Sequence, residues 1–144
     1  MNLPSGWKTI IFSHMFWKNV DETTTELTLP TNMETVLNAI DAANTDGRVL
    51  AIIQGHTHLD AVKETTGGIP ILITTCDKWA IGTPGHEPQL ANRIPGTVTE
   101  QAFEVCIVDQ VNHKLYAVRI GGFNTGNFED DDNLFKIGRR TLDI

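Results

Sequence analysis

A chain of 144 residues, 40% hydrophobic and 20% charged, is long enough to fold as one domain around one core and too apolar to stay disordered. Its net charge of -7 argues against a nucleic-acid backbone or an anionic membrane surface as a main partner. No apolar run approaches the roughly 20 residues that span a bilayer, and the N-terminal Met-Asn-Leu-Pro lacks the pattern of a signal peptide. A reducing, cytoplasmic setting is expected from the cysteine usage. The two cysteines, Cys76 and Cys106, lie in strand-like apolar runs without C-x-x-C spacing and are expected to be buried free thiols.

Residues 8–13 are β-branched and aromatic and predict a buried strand. Residues 14–30 are polar and Thr-rich and predict a loop. Thr31-Asn32-Met33-Glu34 matches a capping box, in which the Thr hydroxyl and the Glu carboxylate satisfy the first free N–H groups of a helix. Met33, Val36, Leu37, Ile40 and Ala43 follow at helical spacing, and Asp46-Gly47 marks the turn after it. Residues 48–54 are apolar at successive positions, which predicts a central strand covered on both faces and a parallel βαβ-like unit.

Beyond residue 54 the pattern changes. Gly67-Gly68 predicts a turn, and residues 69–76 another apolar strand. Residues 77–97 are rich in Gly and Pro and predict a long irregular loop of the kind that carries function. Residues 98–109 and 114–120 predict a hairpin around Val111-Asn112-His113. Glu129-Asp130-Asp131-Asp132 reads as a solvated acidic turn, and residues 134–144 as a last edge strand. No repeat or linker divides residues 1–144, so one domain is expected, with 123–144 as its divergent tail.

The chemistry concentrates at strand ends. Gly55-His56-Thr57-His58 follows the 48–54 strand directly, and Ser13-His14 ends the first strand. Open α/β sheets build their sites at the C-terminal ends of parallel strands. Neutral imidazoles there suit zinc, manganese, iron or nickel. Gly55 is expected to supply the sharp bend, and Asp60 is either a carboxylate orienting a ligand histidine or a turn residue. His86 and His113 are expected to be plain surface histidines.

Ile10-Ile11-Phe12-Ser13-His14 and Gln54-Gly55-His56-Thr57-His58 resemble the last two sequence blocks of the calcineurin-like metallophosphoesterase family. Residues 96–105 and 118–122 resemble the C-terminal strands of its bacterial and phage-borne members. The resemblance covers residues 5–122 and implies that His14, His56 and His58 are metal ligands. It implies hydrolysis of phosphomonoesters or phosphodiesters by a metal-bound hydroxide. The family's D-x-H and G-D blocks have no counterpart in the chain, and Gly126-Asn127-Phe128-Glu129 lies on the wrong side of G-H-x-H to stand for G-N-H-D/E. The implied fold is α/β, half of an αββα sandwich: one mixed sheet, a helix packed on it and a C-terminal β-hairpin. Three neutral ligands favour at most one divalent ion in the chain by itself. An uncovered apolar sheet face would call for a homodimer or a separate N-terminal half. Two alternatives stand beside a phosphoesterase-derived hydrolase. One is a degenerate, non-catalytic binding or interaction module that keeps the fold. The other is a mononuclear tri-histidine hydrolase.

Overall fold

A computed structural model of the chain describes residues 4–20, 26–57, 61–74, 102–121, 130–132 and 137–144. In chain order the elements are β1 (Thr9–Ser13), β2 (Lys18–Asn19), β3 (Leu27–Thr28), α1 (Thr31–Ala43), β4 (Val49–Gln54) and β5 (Ala61–Glu64). They continue with β6 (Pro70–Ile73), β7 (Ala102–Asp109), β8 (Lys114–Gly121), β9 (Asp130–Asp132) and β10 (Ile137–Asp143). The class is mixed α/β with a mixed sheet, as expected, and among the described residues the C-terminal hairpin is part of a second, four-stranded antiparallel sheet. The first runs β1-β4-β6-β5 and the second β7-β8-β10-β9. The pair β2-β3 forms a short separate ribbon inside the stretch expected to be loop.

In the first sheet β1, β4 and β6 are parallel, and β5 adds an antiparallel edge. The strand β4 is central, and its residues before Gln54 are all apolar, as burial on both sides requires. On one side Ile52, Ile71 and Ile73 pack with Leu37 of α1, joined by Met33 and Ile40 of the helix stripe. On the other side Ala51, Ile53 and Leu72 meet Leu115, Ala117 and Leu142 of the second sheet. The chain thus covers both faces of the sheet centre, β4 and β6, while Phe12 on the edge strand β1 stays exposed. That removes the physical argument for a dimer built on an uncovered face there. The large apolar side chains left exposed include Phe103, Val105 and Ile107, which share the outer face of β7.

Several local expectations need correction. The first helical residue is Thr31 and Pro30 is the N-cap, with no side-chain cap hydrogen bond. The Thr31 capping box therefore does not form. The Pro30 carbonyl accepts from Met33 and Glu34 N–H, both at 2.9 Å, and Glu34 complements the helix dipole from the first turn. Cys106 is exposed rather than buried, and Cys76 lies outside the described residues. Residues 130–132 form β9 instead of a turn. Strand β10 lies between β8 and β9 and is no edge. The loop expected over 77–97 lies outside the described residues.

A clasp joins α1 to the turn between β5 and β6. Asp41 accepts from the Thr65 hydroxyl at 2.5 Å and from Gly67 N–H at 2.8 Å. The Thr65 hydroxyl in turn accepts from Ile69 N–H at 3.0 Å. A Cβ at Gly67 would sit 2.7 Å from the Asp41 carboxyl carbon, so a larger residue there would displace the Asp41 side chain from the clasp. Among the described residues, no helix is long and apolar enough to cross a membrane.

Candidate metal site at the strand ends

Parallel pairing of β1 with β4 puts Ser13 opposite Gln54, so the two strands end at the same level. The next residues are His14 on one side and Gly55-His56 on the other. Their rings meet. His14 Nε2 lies 3.1 Å from His56 Nδ1, with centroids 5.0 Å apart and planes at 78°. Both residues are exposed. The structure therefore brings together two of the three histidines that the sequence singles out. His58 and Asp60 lie outside the described residues, as does His86. His113 is exposed in the hairpin turn after β7, as expected.

The bend after β4 falls on His56, whereas the sequence places it on Gly55. His56 has φ 71, and Thr57 N–H donates to the Gly55 carbonyl at 2.9 Å. A positive φ under a hydrogen bond between residues two apart has the form of the γ-turn that side-chain-bearing residues rarely adopt. Such backbone strain typically costs about 1–3 kcal/mol. The turn leaves the His56 ring against that of His14. The substitution His56→Gly is accordingly expected to raise stability by about 1 kcal/mol while removing the imidazole. Chemical denaturation checks this, and a clear loss of stability would contradict it.

Gln54 organises the site from beneath and was not a candidate from the sequence. It is 1% exposed. Its side-chain oxygen accepts from Phe16 N–H at 3.1 Å and Trp17 N–H at 2.9 Å. Its side-chain nitrogen donates to the carbonyls of Trp17 at 2.8 Å and Gly55 at 3.4 Å. The available signal was a polar residue closing an otherwise apolar strand. A buried carboxamide must find partners, and here they are the backbone that follows His14. Lys63 adds to the same corner, its ammonium 5.0 Å from the centre of the Trp17 ring.

His56 is held below the ordinary histidine pKa, first by desolvation, then by the charges of His14 and Lys18. The sign follows directly. The folded chain binds protons at His56 less readily than the unfolded chain does. Acid therefore favours unfolding here, and the neutral ring predominates at neutral pH. A neutral ring is the form that binds metal.

Two imidazole nitrogens bonded to one ion at about 2.0–2.1 Å stand about 2.9 Å apart at a right angle and about 3.4 Å apart at the tetrahedral angle. The observed 3.1 Å lies between these. The same distance serves one N–H···N hydrogen bond between neutral rings, so the pair is preorganised without an ion. The separation of His14 Nε2 and His56 Nδ1 matches that of two adjacent ligand positions. Among the described residues, no group of three or more His, Cys, Asp or Glu is placed to hold an ion. The histidine pair is therefore a partial set of neutral donors.

Comparison of the chain with protein-family models, curated proteins and solved structures found no match.

Proposed function

We propose that the chain is a metallophosphoesterase-like protein whose His14–His56 end holds one divalent ion and acts on phosphate esters when further ligands complete the site. The observation that carries this reading is the 3.1 Å approach of His14 Nε2 to His56 Nδ1 at the ends of two parallel strands. His58, two residues beyond His56, is the proposed third ligand. Manganese, iron, zinc and nickel all suit such a donor set. When bound, the ion supplies Lewis acidity to a phosphoryl oxygen and acidifies a coordinated water. The chain's own residues supply neutral imidazoles, a strained turn that aims one of them, and the cationic Lys18 nearby.

The missing anionic ligands belong, in this proposal, to a separate N-terminal half. Support comes from β1, which is an edge of its sheet among the described residues and leaves Phe12 75% exposed. Unpaired sheet edges are ordinarily blunted or covered. A second reading, a non-catalytic module that keeps the fold, is favoured by the lack of a carboxylate with the histidine pair among the described residues.

Equilibrium dialysis against manganese and zinc, with turnover of a generic bis-aryl phosphodiester, separates the readings. The proposal expects one ion per chain, lost in the double variant His14→Ala/His56→Ala. It expects turnover to rise when a complementary N-terminal half is added. Metal retention without turnover under any of these conditions supports the module. No retention by the unmodified chain contradicts the metal site in both.

A further inference from the structure

We infer that Gln54 is a positioning residue for the histidine pair, setting the spacing that makes His14 and His56 one binding unit; the inference rests on the metal reading above. The regular ladder between β1 and β4 ends at the Ser13–Gln54 pair. Beyond that point the two loops would separate, since nothing in strand pairing continues to hold them. The Gln54 carboxamide takes over. It faces Trp17 as a neighbouring strand would, accepting from the Trp17 N–H at 2.9 Å and donating to the Trp17 carbonyl at 2.8 Å. It also accepts from Phe16 N–H at 3.1 Å and donates to the Gly55 carbonyl at 3.4 Å. One side chain thereby fixes the backbone two and three residues after His14 and the residue immediately before His56.

The base of this device is itself rigid. The Gln54 carbonyl accepts from Thr74 N–H at 2.8 Å, which ties the end of β4 to the exit of β6. Phe16 is buried in the core that also holds Ile52 and Ile73. The carboxamide therefore couples two anchored segments, and the imidazoles extend from them into solvent. A group hydrogen-bonded directly to a ligating ring typically contributes tenfold to a hundredfold in metal affinity, which sets the scale for one that acts on the backbone beside it.

The test uses the full chain and zinc as the probe. Three variants at this position are compared with Thr65→Val, which removes buried hydrogen bonds from the α1 clasp. Gln54→Asn keeps a carboxamide but shortens its reach by one methylene. Gln54→Leu removes both functions, and Gln54→Glu still accepts from both N–H groups. Zinc affinity is measured by calorimetry, folding by circular dichroism, and the approach of the two rings by nuclear Overhauser effects in the metal-free chain. Gln54→Asn and Gln54→Leu are expected to lose about tenfold or more in zinc affinity and to lose the His14–His56 ring effect. Gln54→Glu keeps the two accepted bonds but turns an acceptor oxygen toward the carbonyls of Trp17 and Gly55, so it is expected to lose affinity as well. Thr65→Val is expected to lower stability with affinity unchanged. Should Gln54→Leu fail to fold, Gln54→Asn decides. A folded Gln54→Asn chain with unmodified affinity and an intact ring effect overturns the inference, as does an equal loss of affinity in Thr65→Val. An unmodified chain that shows the ring effect but binds no zinc overturns the metal reading alone; positioning is then decided by the ring effect in Gln54→Asn.

Discussion

Replacing Glu104 by leucine is expected to destabilise the chain by about 3–5 kcal/mol, the range seen when one partner is removed from a buried ion cluster. Glu104 lies on the inward face of β7, directly opposite Arg119 of β8 in the sheet register. Arg140 of β10 approaches it at 3.8 Å, and both of these side chains are only 3% exposed. Arg119 is 1% exposed. Leucine at position 104 would leave two guanidinium groups in the interior without the carboxylate that faces them. Desolvation dominates the cost, because water is excluded and the charges cannot be screened. Arg140 Nη1 also donates to the Ala61 carbonyl of β5 at 3.1 Å, so the cluster joins the second sheet to the first. Urea denaturation of Glu104→Leu and Glu104→Gln measures the effect, with the glutamine expected to fall between leucine and the unmodified chain. A change under about 0.5 kcal/mol for leucine, the scale of ordinary surface substitutions, would mean that water reaches the cluster.

Leu72→Ala is expected to cost about 2–5 kcal/mol, as buried leucine truncations do. Leu72 has no solvent exposure and occupies the middle of β6. It packs with Ala51 and Ile53 of its own sheet and with Leu115, Ala117 and Leu142 of the other. Its truncation therefore opens a cavity between the two sheets. Phe12→Ala is the informative contrast. Phe12 is 75% exposed, so its truncation should change the stability of the isolated chain by no more than about 0.5 kcal/mol. In a complex with an N-terminal half laid along β1, the same truncation should weaken association. Thermal or urea unfolding of the two variants tests the layer arrangement. Equal effects from both would contradict it.

The parts of the fold readable in the sequence are those with unbroken local patterns. Strands β1, β4 and β6 show as apolar, β-branched runs, and α1 as a stripe at helical spacing. The β7-β8 hairpin shows as paired runs around a short polar turn. The parallel pairing of β1 and β4 followed from the helix between them. What was not readable depends on partners distant in the chain. Strand β5, Ala61–Glu64, is four residues with two charges and has no strand signature of its own; β6 pairs with it and makes it a strand. Strand β10 carries Arg139, Arg140 and Thr141, a polar run that resembles an edge. Its interior place depends on Glu104 and the Ala61 carbonyl, which lie far away in sequence. The Thr31 capping box failed because Pro30, with its fixed backbone, took the cap position and left Thr31 inside the helix.

The candidate site divides in the same way. Its location at two parallel strand ends was legible, because β1 and β4 are strong strands and His14 and His56 follow them directly. Its internal mechanics were not. The strain lies at His56 and not at Gly55, since backbone conformation in a three-residue turn is not set by composition alone. The role of Gln54 needed the knowledge that residues 16 and 17 return to the end of β4.

Zinc titration of uniformly nitrogen-labelled protein, followed through the imidazole nitrogens, tests whether His14 and His56 bind one ion together. One equivalent of zinc is expected to shift His14 Nε2 and His56 Nδ1 together, with His58 as the third responding ring and His113 unchanged. Unchanged His14 and His56 nitrogens at saturating zinc, or a response confined to His113, would show that the two rings do not form a metal site.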